Sequence, residues 1–335
     1  KLKLRLHQGW VDNILYFVEI LICIQMAYLN HLNVGLVNAI IVACFLLEAF
    51  YLLLSINRRF VTNKIVLLIF LFTLTESILS LVFGSQPLNS ALKDLLIVML
   101  MVFSTVRRFR KDQEKAMRII ATVFWIVILV NLITVILYPQ TGIYKAQSIS
   151  GTWHPTYFIG TDNKFGRIFF PGLAIIWLDR ENTQHGKFFA VSALVMVIAS
   201  YVIKMNGTGL VLSVMMVFFY VMYYLRRESI VFSDRVLITI LVVFYLLLIS
   251  GIGDIFENSL MLGRLFGSLG KDTTFSGRVY IWRECLNLFV QNPLFGIGKT
   301  ETGAIAIWLQ RTFNAHNEIL QILVESGIVG LDRKS

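Results

Sequence analysis

Arg278 opens a stretch in which Arg278, Trp282, Cys285 and Phe289 recur at spacings of four, three and four, so a helix would carry all of them on one face. Ser276 is a suitable N-cap for it, and Asn292 and Pro293 stop it before the turn segment NPLFGIG. An arginine in a first helical turn sets a fork of donors beside unpaired N–H groups, which makes a seat for phosphate. The same pattern describes an amphipathic interfacial helix whose arginine faces headgroups. Downstream, His316 stands in the run Asn314, Ala315, His316, Asn317, with Gln321 and Glu325 continuing at four-residue spacing from Asn317. That stripe is polar and must face helices or water. A neutral imidazole at its mouth could take a proton from a hydroxyl, or could simply hydrogen-bond loop backbone. A third cation, Arg167, follows Asp162, which could cap a helix running from Asn163, and precedes Pro171 by one turn. Arg167 either faces a protein interior or snorkels to headgroups.

The elements that must position these side chains are membrane helices. Of 335 residues 57% are apolar and 15% charged, and the mean hydropathy is +0.73. A soluble globule cannot hide that much apolar surface, so cytosolic, nuclear and secreted enzymes are excluded. The net charge of +10 is spread over short loops rather than gathered on one face, which argues against nucleic acid as a partner. Cys23 and Cys44 fall inside apolar runs, and neither a disulfide framework nor a metal pattern is present, so no metal or other cofactor is expected. Lys1 to Trp10 and the apolar stretch after it look like a signal peptide. However, Glu19 and Gln25 interrupt the stretch and no small-residue cleavage site follows, so it reads as a retained span of a chain whose N-terminus is incomplete.

Taking roughly 20 residues per crossing, spans are expected at Asn13–Leu29, Val34–Ile56, Ile65–Phe83, Ala91–Val106, Ala116–Leu137, Asn163–Leu178, Phe188–Ile203, Thr208–Leu225, Val236–Ile252 and Asn317–Leu331. The expected fold is therefore an all-α polytopic membrane protein of about ten transmembrane helices. Most Lys and Arg fall on one side if both termini are cytoplasmic. The organisation is then helices 1–5 over residues 1–137, a long outer loop over 138–167, helices 6–9 over 163–252, a large outer loop with amphipathic helices over 253–316, and a last helix over 317–335. Trp153, Trp282 and Trp308 in the two outer loops favour folded, functional loops, and the stretch Gly151–Tyr157 could offer aromatic faces to sugars. Glu48 and Glu76 lie within spans, and Lys93 with Asp94 opens the fourth. These groups suit protonated interhelical hydrogen bonding better than a proton pathway.

From Ser276 to Gly330 the motifs run SGR, a tryptophan four residues after that arginine, NPLFGIG, HN and VESGIVG. In this order the segment resembles the O-antigen ligase and polymerase family, specifically its Wzy-type polysaccharide polymerases. YFIGTDNKFGR before the sixth span is similar to the corresponding region of Gram-positive capsule polymerases. The resemblance implies a GT-C-like, inverting, metal-independent glycosyltransferase in the bacterial cytoplasmic membrane, multi-pass, with its active site on the extracytoplasmic face. It would join oligosaccharide repeat units carried on undecaprenyl pyrophosphate, with membrane lipid, a chain-length regulator and a flippase as partners. It further implies that His316 activates the acceptor hydroxyl. Arg278 would hold the pyrophosphate, with Arg167, or Arg264 or Arg311 in its place, and Asn163, Asn317 and Trp282 completing the substrate site. Alternatives are a ligase moving finished glycan to another acceptor and, more distantly, a flippase or exporter. Family members continue past the VESGIVG-like segment, so the last span, which stops at Ser335, reads as shortened.

Overall fold

The computed structural model describes residues 2–24, 27–54, 64–82, 88–147, 153–206, 209–210, 212–217, 278–298, 305–307, 311–313, 315 and 317–332. Helices dominate: α1 (Leu2–Cys23), α2 (Ala27–Leu54), α3 (Lys64–Val82), α4 (Leu88–Lys111), α5 (Gln113–Leu137), α6 (Phe165–Asp179), α7 (Gly186–Ile203), α8 (Arg278–Gln291) and α9 (Glu318–Asp332). Among the described residues four are long and apolar enough to cross a membrane: His31–Tyr51, Leu88–Lys111, Gln113–Leu137 and Gly186–Ile203. The expected spans Thr208–Leu225 and Val236–Ile252 lie largely outside the described residues. Two compact units are present, one of Lys1–Phe70 with Lys93–Val217 and one of Leu71–Leu92 with Phe218–Ser335.

Helix starts follow local capping chemistry. Asn33 has extended backbone (φ −161°, ψ 95°) and its Oδ1 accepts the Leu36 N–H at 2.9 Å, so the apolar part of α2 starts at Val34 as the sequence predicts. Asp112 repeats the device, accepting from the Lys115 N–H at 3.0 Å to turn α4 into α5. The expected cap at Asp162 is not formed. Asp162–Lys164 is a 3-10 turn, and α6 begins at Phe165 without a side-chain cap. A tight turn directed into the helix leaves that carboxylate no amide at N-cap distance.

In the first unit α5, α6 and α7 pack on one another, and α1 packs on α5. Tyr16, Val127, Ile128, Phe165, Phe169, Ala193, Val197 and Tyr201 form the centre of that core. Between lipid-facing helices such contacts act through close packing rather than through exclusion of water. Leu137, Leu178 and Phe188 point away and are exposed, as befits surfaces that meet hydrocarbon. The long segment between α5 and α6 folds into an antiparallel hairpin, β1 (Tyr144–Gln147) with β2 (Trp153–Thr156). Its return to α6 is pinned by Asn131 Oδ1 accepting from the Ile159 N–H at 3.1 Å. The Tyr157 hydroxyl and Lys204 Nζ both donate to the Pro139 carbonyl, at 2.9 and 2.7 Å.

Glu48 departs from the sequence expectation of a lone protonated carboxyl. Its side chain is fully buried and takes Arg107 Nε and Nη2 at 2.8 and 2.7 Å, with Arg108 Nη1 at 2.6 Å. Asp12 receives Arg107 Nη2 at 2.8 Å and Lys111 Nζ at 2.9 Å, and Glu19 lies 2.9 Å from Arg108 Nη1. Three carboxyl groups and three cations thus join α1, α2 and α4. The pairing arises because α4 continues to Lys111, past the expected end at Val106, and brings both arginines onto the α1–α2 face. The Glu76 side chain lies outside the described residues.

Candidate functional site

The second unit is built around a broken helix. Gly327 interrupts α9 with φ 62° and ψ −160°, where a continuous span was expected. In an unbroken helix the N–H groups of Ile328 and Val329 would donate to the carbonyls of Val324 and Glu325. Here those carbonyls accept instead from Ile297 N–H at 2.8 Å and Gly298 N–H at 2.9 Å. The freed donors of Ile328 and Val329 reach the carbonyls of Pro293 and Leu294 at 2.9 and 3.3 Å. The NPLFGIG turn is therefore inserted into the hydrogen-bond ladder of the VESGIVG segment, and these four backbone groups are paired again. Glycine is required on both sides. Gly296 (φ +67°) would carry a Cβ 2.6 Å from Ser326 N, and Gly327 one 2.7 Å from Phe295 N, each also overlapping a carbonyl of the facing segment.

This lock sets α8 against α9, with Trp282, Cys285, Ala315, Leu320 and Val324 buried between them. Trp282 and Cys285 of the face predicted from spacing are thus packed, whereas Phe289 is half-buried and lies outside this cluster. Burial pushes the Cys285 thiol up to about 11, which leaves it protonated and inert. Trp282 is buried, and its indole N–H donates to the Ala315 carbonyl at 2.9 Å. The Ala315 N–H donates to Gln321 Oε1 at 2.9 Å, and Gln321 Nε2 donates to Glu325 Oε1 at 2.5 Å. Asn317 caps α9, accepting the Leu320 N–H on Oδ1 at 3.2 Å. Gln321 and Glu325 of the polar stripe expected on this helix are thus buried, and Gln321 is bonded to the residue that precedes His316.

Not every candidate residue can be placed. His316 and Arg264 lie outside the described residues, as do Ser276, Gly151, Thr152 and Trp308, and Arg278 and Arg311 are described in backbone only. Arg278 is the first residue of α8, one turn before Trp282, and Arg311 opens strand β4 (Arg311–Phe313), which pairs with β3 (Ile305–Ile307). Trp282 and Ala315 are brought together.

In the first unit, Asn163 and Arg167 are exposed. Arg167 and Lys164 line a cavity of about 540 Å³ whose other walls are almost wholly apolar: Ile20, Cys23 and Ile24 at the end of α1, Met101 and Thr105 of α4, Ile120 and Phe124 of α5, Ile159, and Ile168, Pro171 and Ile175 of α6. From Arg167 to Ile175 this wall runs about 12 Å along the helix at 1.5 Å per residue. Two cations beside an elongated apolar hollow suit an amphiphile with an anionic head.

Sequence reasoning missed Lys164, Gln321 as a backbone acceptor, and the Glu48 cluster. For Lys164 the signal was its place three residues before Arg167, on the same helical face. For the cluster it was the pair Arg107–Arg108 closing a span.

The comparisons agree with these motifs. Residues 188–331 match the family model described as O-Antigen ligase. Over 79 residues the chain is 29% identical to the exopolysaccharide production protein ExoQ of Rhizobium meliloti (strain 1021), a match that takes in 20% of this chain and 18% of that protein. No solved structure matches. Residues 188–331, which contain the interlocked NPLFGIG and VESGIVG segments, are thus similar to the O-antigen ligase/polymerase family.

Proposed function

We propose that this protein is a polytopic membrane glycosyltransferase of about ten spans. It polymerises oligosaccharide repeat units carried on undecaprenyl pyrophosphate, at the extracytoplasmic face of a bacterial cytoplasmic membrane. The observation that carries the reading is the Trp282–Ala315 hydrogen bond inside the family-matched region, which holds the helix begun by Arg278 against the residue preceding His316. The cavity beside Lys164 and Arg167 supports it as a place for a polyprenyl chain below an anionic head.

In this reading Arg278, with Arg167, Arg264 or Arg311, neutralises the pyrophosphate. As the bond from the anomeric carbon to the phosphate oxygen breaks, the electron pair leaves with undecaprenyl pyrophosphate, and guanidinium groups stabilise the charge that grows there. The acceptor hydroxyl attacks the opposite face of the sugar, forms the new C–O bond and gives its proton to His316, so configuration inverts. A neutralised pyrophosphate leaves readily, so the mechanism calls for no divalent ion. Asn163 and Asn317 border the substrate, while the buried Trp282 braces the site through its hydrogen bond to Ala315.

The test gives the purified chain an undecaprenyl-pyrophosphate-linked oligosaccharide without nucleotide sugar or metal. A ladder of products is expected, and removing the base by His316→Ala lowers its rate about 10² to 10⁴-fold. A ladder formed at the normal rate by folded His316→Ala refutes the role of His316. The family description as a ligase favours one second reading, transfer of finished glycan to a different acceptor, which would yield a single product and no ladder. Movement of intact lipid-linked substrate with no new glycosidic bond would mark an exporter.

A further inference from the structure

Resting on that glycan-transfer reading, we infer that Trp282, Gln321 and Glu325 form a positioning relay that fixes the backbone entering His316. The Ala315 carbonyl belongs to the planar peptide unit that continues into His316, and it is held by the Trp282 indole N–H at 2.9 Å. The opposite side of the same residue is held by its own N–H on Gln321 Oε1 at 2.9 Å. Gln321 is in turn oriented by Glu325, because an amide whose nitrogen donates to a carboxylate must present its oxygen the other way. Ala315, Trp282, Gln321 and Glu325 are all buried, where lost hydrogen bonds are costly. Asn317, on the far side of His316, is fixed as the cap of α9.

Two successive peptide planes, one held from each helix, fix the course of the chain as it enters His316. Catalytic groups displaced by about 1 Å can lose on the order of 10²-fold in rate. Trp282 and Gln321 thus act through the backbone, without touching substrate.

The experiment measures initial rates of the full chain in detergent on an undecaprenyl-pyrophosphate-linked oligosaccharide. Trp282→Phe keeps the buried ring and deletes only the donor, and Gln321→Leu keeps the volume and deletes the acceptor. Each lowers kcat about 10- to 100-fold with KM unchanged. Glu325→Gln, whose amide oxygen still accepts from Gln321, retains the wild-type kcat, whereas Glu325→Leu falls with Gln321→Leu. Should Gln321→Leu fail to fold, Trp282→Phe carries the same test.

Four outcomes overturn the relay. Wild-type kcat in Trp282→Phe and Gln321→Leu while His316→Ala is inactive removes it and leaves the glycan-transfer reading intact. A raised KM at unchanged kcat in Trp282→Phe makes that ring a sugar contact instead. Loss of activity in Glu325→Gln shows the carboxylate acting through its charge. Normal turnover by His316→Ala removes the relay together with the role of His316, whereas no turnover by the wild-type chain removes the glycan-transfer reading itself.

Discussion

Replacing Gly327 with alanine forces a choice between two costs. If the break in α9 is kept, the new Cβ overlaps the Leu294 carbonyl and sits 2.7 Å from Phe295 N, at φ +62°. That backbone region is nearly closed to side chains and carries about 1 to 3 kcal/mol of strain before any overlap is relieved. If α9 straightens instead, Ile328 and Val329 recover the carbonyls of Val324 and Glu325, and all four bonds to the NPLFGIG turn are lost. Pro293 and Leu294 are exposed and their carbonyls can turn to water, but the N–H groups of Ile297 and Gly298 are buried or half-buried. Two orphaned donors at about 1 to 3 kcal/mol each give about 2 to 6 kcal/mol. Either route weakens the lock by about 3 kcal/mol, roughly 100-fold in its opening equilibrium. Hydrogen exchange read by mass spectrometry on peptides covering 293–298 and 324–329 should show that loss of protection in both segments at once. Ser326→Ala, one residue earlier on helical backbone, should leave both unchanged. Wild-type exchange in Gly327→Ala would refute the interlocked ladder.

Two further outcomes follow from buried groups. Glu48→Leu strands Arg107 and Arg108 beside the remaining acids, and removing one partner of a buried ion pair costs about 3 to 5 kcal/mol. Thermal unfolding in detergent should fall by several degrees, and an unchanged midpoint would show the cluster to be solvated. Cys285, fully buried with its thiol pushed up to about 11 by burial, should resist maleimide between pH 7 and 9 in a variant lacking Cys23 and Cys44. The thiolate is the reactive form and becomes abundant only as pH approaches that value. Rapid labelling of the folded protein at pH 8 would contradict the packing of α8 on α9.

Local chemistry was legible in the sequence. The 3.6-residue period placed Trp282 and Cys285 on one face of α8, and apolar length located α3, α5 and α7 close to their observed bounds, because periodicity and span length are properties of a single segment. Polarity at Asn317, Gln321 and Glu325 announced a stripe facing helices or water for the same reason. The motif order from Ser276 to Gly330 was enough to point to the family that residues 188–331 match.

Partners distant along the chain were not legible. Gly327 reads as one more glycine in an apolar helix until Pro293 and Leu294 are seen taking its freed N–H groups. Glu48 reads as a neutral carboxyl until α4 delivers two guanidinium groups 59 and 60 positions away in sequence. The apolar hollow beside Lys164 and Arg167 exists only where α1, α4, α5 and α6 converge. Which segments this chain would place in helices follows from side-chain character and backbone propensity along each stretch. Which buried polar atoms find one another is decided in three dimensions, because burial makes every unpaired group costly and only the packed arrangement supplies its partner.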